Sequence, residues 1–171
     1  MKYKYNSDRR ITIENRANVF SRFKKYAFRL ELLQDYDVEE EKDSLHHFLK
    51  TGEVKNHEDD WASVIQSAVK RGAVMQRVHV ITKPLTDYMR FELKAYVFNI
   101  KKGEKVFLLS QEEYDAINTP VTHDFWLFDD TIVLQMQYTP EGKFLYSTRI
   151  RGPIKPFIEL KNKLLTRAHP L

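Results

Sequence analysis

Residues 73–109 read AVMQRVHVITKPLTDYMRFELKAYVFNIKKGEKVFLL, and their pattern decides the fold. Residues 73–81 are rich in β-branched side chains and predict a strand. Residues 85–101 repeat apolar side chains at helical spacing behind a threonine cap, Thr86, and predict a helix. Residues 104–109 predict a second strand. Strand, helix and strand in this order favour a parallel βαβ unit.

The rest of the chain adds an antiparallel meander and further helices. Strands are expected at 123–128, 131–138 and 143–150, with turns at Asp129-Asp130 and at 139–142. The periodicity also predicts helices over residues 39–50, about 60–71, 111–117 and 153–167. The fold class is therefore α/β, with a mixed sheet flanked by helices.

The chain is expected to contain a basic N-terminal arm and one domain. Residues 1–20 show no sustained period, so an irregular segment is expected there, with a short strand at residues 11–13 as one alternative. The arm is placed at residues 1–22 and the single α/β domain at residues 23–171. A chain of 171 residues is long enough to bury a core of its own.

The composition excludes several classes of function. The sequence contains no cysteine, so a disulfide, a zinc–thiolate site and a cysteine nucleophile are all excluded. No signal peptide is readable at the N-terminus, and no apolar run approaches the roughly 18 residues of a membrane span. The expected location is the cytoplasm, without membrane association.

Positive charge is concentrated at the two ends of the chain. Residues 1–29 hold nine Lys and Arg against two acidic residues, and residues 143–171 hold seven against one, whereas the middle is acidic. Such blocks indicate either self-complementarity with the acidic middle or an external acidic partner, a protein or a nucleic acid. Self-complementary or solvated blocks are the more common case.

Glu92 is the first candidate for chemistry. On a helical wheel it lies between two apolar arcs of the helix over residues 85–101, so it is expected to face the interior. A buried carboxylate must be paired or must hold its proton. Glu92 is therefore either part of a site near Arg77, His79 or His123, or a structural ion pair, which is the favoured interpretation.

His79 and Arg77 are the second candidates, because strand alternation places both on one face of the strand over residues 73–81. This face could line a cleft at the carboxyl end of the strand, or hold a satisfied buried histidine. No metal site is expected, since His46 and His47 are adjacent and cannot share one helix face. No cofactor is expected either, because the glycine-rich phosphate loops are missing.

Two motifs resemble an uncharacterised bacterial domain family. They are LTDYMRFEL at residues 85–93 and HDFWLFDD at residues 123–130, and the resemblance extends roughly from residue 28 to residue 145. Members of that family are often encoded near helix-turn-helix regulators. The resemblance therefore implies a role in transcriptional control rather than in metabolism.

More distantly, the chain resembles half of a phospholipase D-type enzyme. Two such halves meet at a two-fold axis, and each contributes a His-x-Lys-x4-Asp motif. The resemblance implies that His123 is the nucleophile or acid and Asp130 its support, whereas Phe125 stands where the lysine is expected. Losing one such charge-stabilising donor typically costs about 2.7–4 kcal/mol of transition-state stabilisation.

The leading hypothesis is a non-catalytic regulatory or interaction module on a phospholipase D-like half-domain, which forms a homodimer. Its basic arm, with Arg9, Arg10, Lys24 and Lys25, and its C-terminal helix would contact nucleic acid or an acidic protein. The remnant of the active-site cleft would sense a ligand. The competing hypothesis is a homodimeric phosphodiesterase or nuclease of phospholipase D type. There, Arg77, Arg90 or another cation would replace the missing lysine.

Overall fold

A computed structural model describes residues 10–55 and 59–171. The strands are β1 (Tyr26–Glu31), β2 (Val74–Ile81), β3 (Glu104–Ser110), β4 (Phe125–Phe128), β5 (Ile132–Tyr138), β6 (Phe144–Arg149) and β7 (His169–Pro170). The α-helices are α1 (Ile13–Arg22), α2 (Lys42–Thr51), α3 (Asp60–Lys70), α4 (Asp87–Lys102), α5 (Gln111–Asp115) and α6 (Lys155–Arg167), and a 3-10 turn (Glu39–Glu41) precedes α2.

These strands form one mixed sheet in the order β6-β5-β4-β1-β2-β3-β7. Strands β1, β2 and β3 are parallel, and α4 connects β2 to β3, so the predicted βαβ unit is confirmed. Strand β4 pairs antiparallel with β1 and continues into the predicted β4-β5-β6 meander. The single-domain α/β class is thus confirmed, whereas a relationship to phospholipase D half-domains stays a prediction.

Two elements at the N-terminal side differ from the expectation. The expectation of an irregular segment over residues 1–20 is wrong from residue 13 onwards, because helix α1 begins there. The Thr12 side chain caps this helix by accepting from the Asn15 N–H at 3.1 Å. The expected short strand at residues 11–13 reduces to contacts with β6, where Arg10 forms a bridge with Thr148. Strand β1, in the middle of the sheet, was not expected. Residues 1–9, including Arg9, lie outside the described residues.

The two faces of the sheet differ in chemistry. Phe28, Leu30, Val78 and Val80 point to one face and pack with α5 and α6 in an apolar core. The alternate residues of β1 and β2 point to the other face, which α1, α3 and α4 cover. Near α1 and α3 this second face is apolar, whereas towards α4 it is charged.

The turn between β4 and β5 ties the meander to β1. Asp129 and Asp130 both have positive φ, 51° and 54°, in the left-handed region that aspartate adopts more readily than most residues. The Asp129 carboxylate accepts from the backbone N–H groups of Lys24, Lys25 and Tyr26 at 2.7, 2.7 and 2.9 Å. These three bonds outweigh the effect of burial and lower the pKa of Asp129. One carboxylate thereby fixes the start of the central strand.

We expect Asp129→Gly to reduce the free energy of unfolding by about 2–3 kcal/mol, because hydrogen bonds to a charged group are among the stronger ones. Glycine keeps the positive φ, so the substitution removes the carboxylate without straining the turn. Asp130→Gly is the matched control at the next position and should cost less. Urea denaturation of the two variants measures the difference, and equal losses would contradict the role given to Asp129.

Candidate functional site

A set of ionisable side chains is buried between the sheet and helices α3 and α4. Each is at most 8% exposed, and we call the set the buried charge cluster; its members are Arg29, Glu31, Arg77, His79, Glu92, Glu104 and Asp124. The parallel register of β1 and β2 places Arg29 beside Arg77 and Glu31 beside His79. Sequence alternation puts all four on the same face.

Glu31 lies between the two arginines. Its two carboxylate oxygens each accept from Arg77 Nη1 at 2.9 Å, and Oε1 lies 3.4 Å from Arg29 Nε. Arg77 also donates from Nε to Glu104 at 2.9 Å, and Arg29 donates from Nη2 to Asp124 at 3.2 Å. Burial opposes ionisation of Glu31, but Arg77, His79 and Arg29 hold the pKa of its carboxyl well below its usual range.

His79 connects this cluster to helix α4. Its Nε2 lies 2.8 Å from the carbonyl oxygen of Leu33, which accepts only, so Nε2 carries a proton. Its Nδ1 lies 2.8 Å from the Tyr96 hydroxyl, which is also 2.9 Å from Glu31 Oε2. Burial lowers the pKa of His79 against the opposing charge of Glu31. Each ring nitrogen of His79 thus has a polar neighbour, and the single Tyr96 hydroxyl proton is shared between Nδ1 and Glu31.

Glu92 faces the interior, as the helical wheel predicted, and is 7% exposed. Burial, together with the nearby carboxylates of Glu41 and Glu31, raises the pKa of Glu92 to about 8. The Arg77 charge opposes this rise. The structure therefore brings together Arg77, His79 and Glu92, three of the residues singled out from the sequence.

His123 and Asp130 are not brought together. His123 precedes β4 and Asp130 follows it, and the four residues of β4 alone span roughly 13 Å. His123 is half-buried, with Nδ1 3.0 Å from the Thr122 hydroxyl. Asp130 accepts from the Tyr26 hydroxyl and from Lys161, the latter at 3.4 Å.

The remaining cation candidates occupy separate places. Arg90 pairs with Asp87 on the exposed side of α4. The side chains of Lys24 and Lys25 are exposed next to the β4–β5 turn. Arg10 borders a pocket of about 470 Å³ between α1 and the β5–β6 edge of the sheet.

This pocket, which we call the arginine pocket, is lined by four arginines, two asparagines and four apolar residues: Arg10, Arg22, Arg149, Arg151, Asn15, Asn18, Ile11, Val19, Phe23 and Ile132. All four arginines are exposed. Among the described residues, no carboxylate lies within salt-bridge distance of any of them. Within residues 10–55 and 59–171, the pocket is therefore a concave surface whose positive charges have no carboxylate partner.

Both ends of the chain supply this charge. Arg10 bridges to Thr148 of β6, and its guanidinium lies 3.8 Å from the centre of the Tyr146 ring. Arg22 ends α1, Arg149 ends β6 and Arg151 follows it. The basic N-terminal and C-terminal blocks of the sequence thus converge on one pocket.

Sequence reasoning missed Arg22, Arg149 and Arg151 as individual site residues, although all three lie in the basic blocks. It also missed Arg29, Glu31, Glu104 and Asp124. A usable signal was present for β1, where charged Arg29 and Glu31 alternate with apolar Phe28 and Leu30. No comparable local signal marks Glu104 or Asp124, because their partners are distant in sequence.

A family model described as Domain of unknown function (DUF6879) matches residues 14–171. The chain belongs to the DUF6879 family. The matched residues include the whole buried charge cluster and three of the four pocket arginines, all except Arg10. No curated protein matches the chain. Within the part of the chain that the structure describes, no helix is long and apolar enough to cross a membrane.

We expect Glu31→Gln to reduce the free energy of unfolding by about 3–5 kcal/mol, because it leaves two buried arginines without their shared carboxylate. Glu159→Gln is the matched control, since Glu159 forms an exposed pair with Lys155 at 3.6 Å. Exposed pairs of this kind contribute about 0–1 kcal/mol. Urea denaturation compares the two, and a loss below about 1 kcal/mol for Glu31→Gln would contradict the central place of Glu31.

We expect Glu92→Gln to alter the pH dependence of stability. Because the pKa of Glu92 is raised to about 8 in the folded state, its contribution is complete below about pH 4.5 and is lost as pH rises through about 8. Glutamine cannot ionise, so the variant should lose less stability than the wild type between about pH 5 and 8.5. The difference at the upper end should be a few kcal/mol, since a tenfold change in proton affinity corresponds to about 1.4 kcal/mol.

Thermal denaturation across this pH range, with Glu159→Gln as control, tests the assignment. Parallel stability profiles for Glu92→Gln and the wild type would show that Glu92 is ionised in the folded protein at neutral pH.

Proposed function

We propose that this domain is a non-catalytic interaction module that binds nucleic acid through the arginine pocket. The observation that carries the proposal is the convergence of Arg10, Arg22, Arg149 and Arg151 on one concave surface without a neutralising carboxylate among the described residues. Like charges held together without partners destabilise a protein that has nothing to bind. An anionic partner removes this repulsion.

The choice of arginine supports a phosphate-bearing partner. The guanidinium is planar and presents several donors in a fixed fork, which matches two oxygens of a phosphate group. It also stacks on flat rings, as Arg10 does on Tyr146. Phosphate contacts supply most of the affinity in nucleic-acid binding.

Several observations favour a non-catalytic role. Phe125, at the position of the phospholipase D lysine, is fully buried and packs against Phe157 in the apolar core. Arg77 is held by Glu31 and Glu104, and Arg90 by Asp87, so neither is placed to substitute for that lysine. The ionised groups of the buried charge cluster are enclosed and bound to each other. A role in transcriptional control and a two-fold dimer follow from the resemblance alone and stay predictions.

Fluorescence anisotropy of labelled DNA tests the proposal, with titrations at about 50 and 200 mM salt, over which binding through phosphates weakens steeply. The double variant Arg149→Ala/Arg151→Ala should bind at least about tenfold more weakly, and its salt slope should be smaller by about 1 for each phosphate that it no longer neutralises. The matched control is Lys163→Ala/Arg167→Ala, which removes two exposed charges from α6, on the opposite face of the sheet.

Wild-type protein that does not bind DNA at the lower salt concentration would overturn the proposal. Equal weakening by the two double variants would assign the binding to net charge rather than to the arginine pocket.

A further inference from the structure

The arginine pocket has an apolar floor as well as a charged rim. Phe23 is 4% exposed and belongs to the hydrophobic cluster on the α1 and α3 side of the sheet. Val19 and Ile132 are half-buried and pack on the same cluster. The floor is therefore anchored in the core, whereas the arginines of the rim are exposed and can meet a ligand. A ligand that fills the pocket must combine a negative charge with an apolar body.

The dimensions of the pocket agree with one small ligand unit. About 470 Å³ lies within the range of roughly 300–1,000 Å³ that is typical of small-molecule sites. A base inside a duplex is stacked and paired, so a duplex reaches the arginines with its phosphates but leaves the floor empty. An unpaired base of a single strand can be turned out of the stack and inserted.

The polar side chains of the pocket suit the same ligand. Asn15 and Asn18 carry both donors and acceptors, which can bond the exposed edge of a base. The stacked pair of Arg10 and Tyr146 adds a flat surface beside the pocket, of the kind on which neighbouring bases stack in single-strand binding. The carboxylates of an acidic peptide would pair with the arginines, but they would not cover the apolar floor.

We infer that the arginine pocket receives one unpaired nucleotide of a single-stranded nucleic acid, with its base on the floor of Val19, Phe23 and Ile132 and its phosphate at Arg22, Arg149 and Arg151. The inference rests on the proposed function and narrows it from nucleic acid in general to a single strand. Duplex DNA binds more weakly, through the rim alone.

The test compares a labelled oligothymidylate with a blunt duplex of the same length at one salt concentration. The single strand should bind about tenfold more tightly, which is the scale of one base contact. Val19→Phe, which fills part of the floor, and Asn18→Ala, which removes a partner for the edge of the base, should each weaken single-strand binding several-fold and weaken duplex binding less. Thermal denaturation verifies that both variants are folded.

A competition experiment separates the base from the phosphate. Thymidine monophosphate should displace the labelled single strand at lower concentration than inorganic phosphate does, because it also occupies the floor. Polyglutamate of matched charge should compete less well than unlabelled oligothymidylate.

The outcomes distinguish the inference from the proposed function. If the duplex binds as tightly as the single strand and neither variant changes this, the inference fails while nucleic-acid binding stands. If polyglutamate competes as well as the oligonucleotide, the pocket is a site for an acidic protein and the inference fails. If neither nucleic acid binds, the proposed function itself is overturned.

Discussion

The centre of the structure depends on the ion pairs that the Glu31 carboxylate forms with Arg29 and Arg77. The parallel register of β1 and β2 sets the two arginines side by side on a face closed to solvent. Without an acid between them, their repulsion and desolvation would act directly against pairing of the two central strands. Glu31 binds both, and the Tyr96 hydroxyl joins α4 to the same carboxylate.

A buried cluster of this kind is better understood as a determinant of register than as a large source of stability. Buried ion pairs are often no more stabilising than apolar side chains of the same volume. A one-residue slip of β1, however, would turn Arg29 and Glu31 into the apolar core under α6 and expose Phe28 and Leu30 to the charged face. Since β1 also pairs with β4, its register determines where the meander and the arginine pocket lie.

The parts of the fold that were predictable are those with a strong local period. The βαβ unit, the meander and the inward direction of Glu92 all follow from the spacing of apolar residues. Strand β1 was missed although charged Arg29 and Glu31 alternate with apolar Phe28 and Leu30, because this alternation covers only four residues, the shortest run that indicates a strand. Helix α1 was missed because it buries no residue completely, and its apolar positions are correspondingly sparse.

The arginine pocket lay beyond sequence reasoning for a different physical reason. It forms because Arg10 and Ile11 run along β6, where the Ile11 N–H donates to the carbonyl of Ser147 at 3.0 Å. Contacts between the two ends of a chain do not produce a periodic spacing of apolar residues in either end. The charge blocks indicated that both ends of the chain are basic, but not that the two ends contact each other.

The two explanations for the basic ends each account for part of the charge. Arg29 pairs with Glu31 and Asp124, and Lys161 pairs with Asp130, so some terminal cations are neutralised by the acidic middle, as self-complementarity requires. Other acids of the middle are used locally, as in the pairs of Asp87 with Arg90 and Asp37 with Lys42.

The four arginines of the pocket are left without carboxylate partners among the described residues. Pairing between the basic ends and the acidic middle therefore does not extend to the pocket arginines of the described chain. Their positive charge is concentrated on a concave surface. The proposed binding of an anionic partner rests on this local charge rather than on the net charge of the chain.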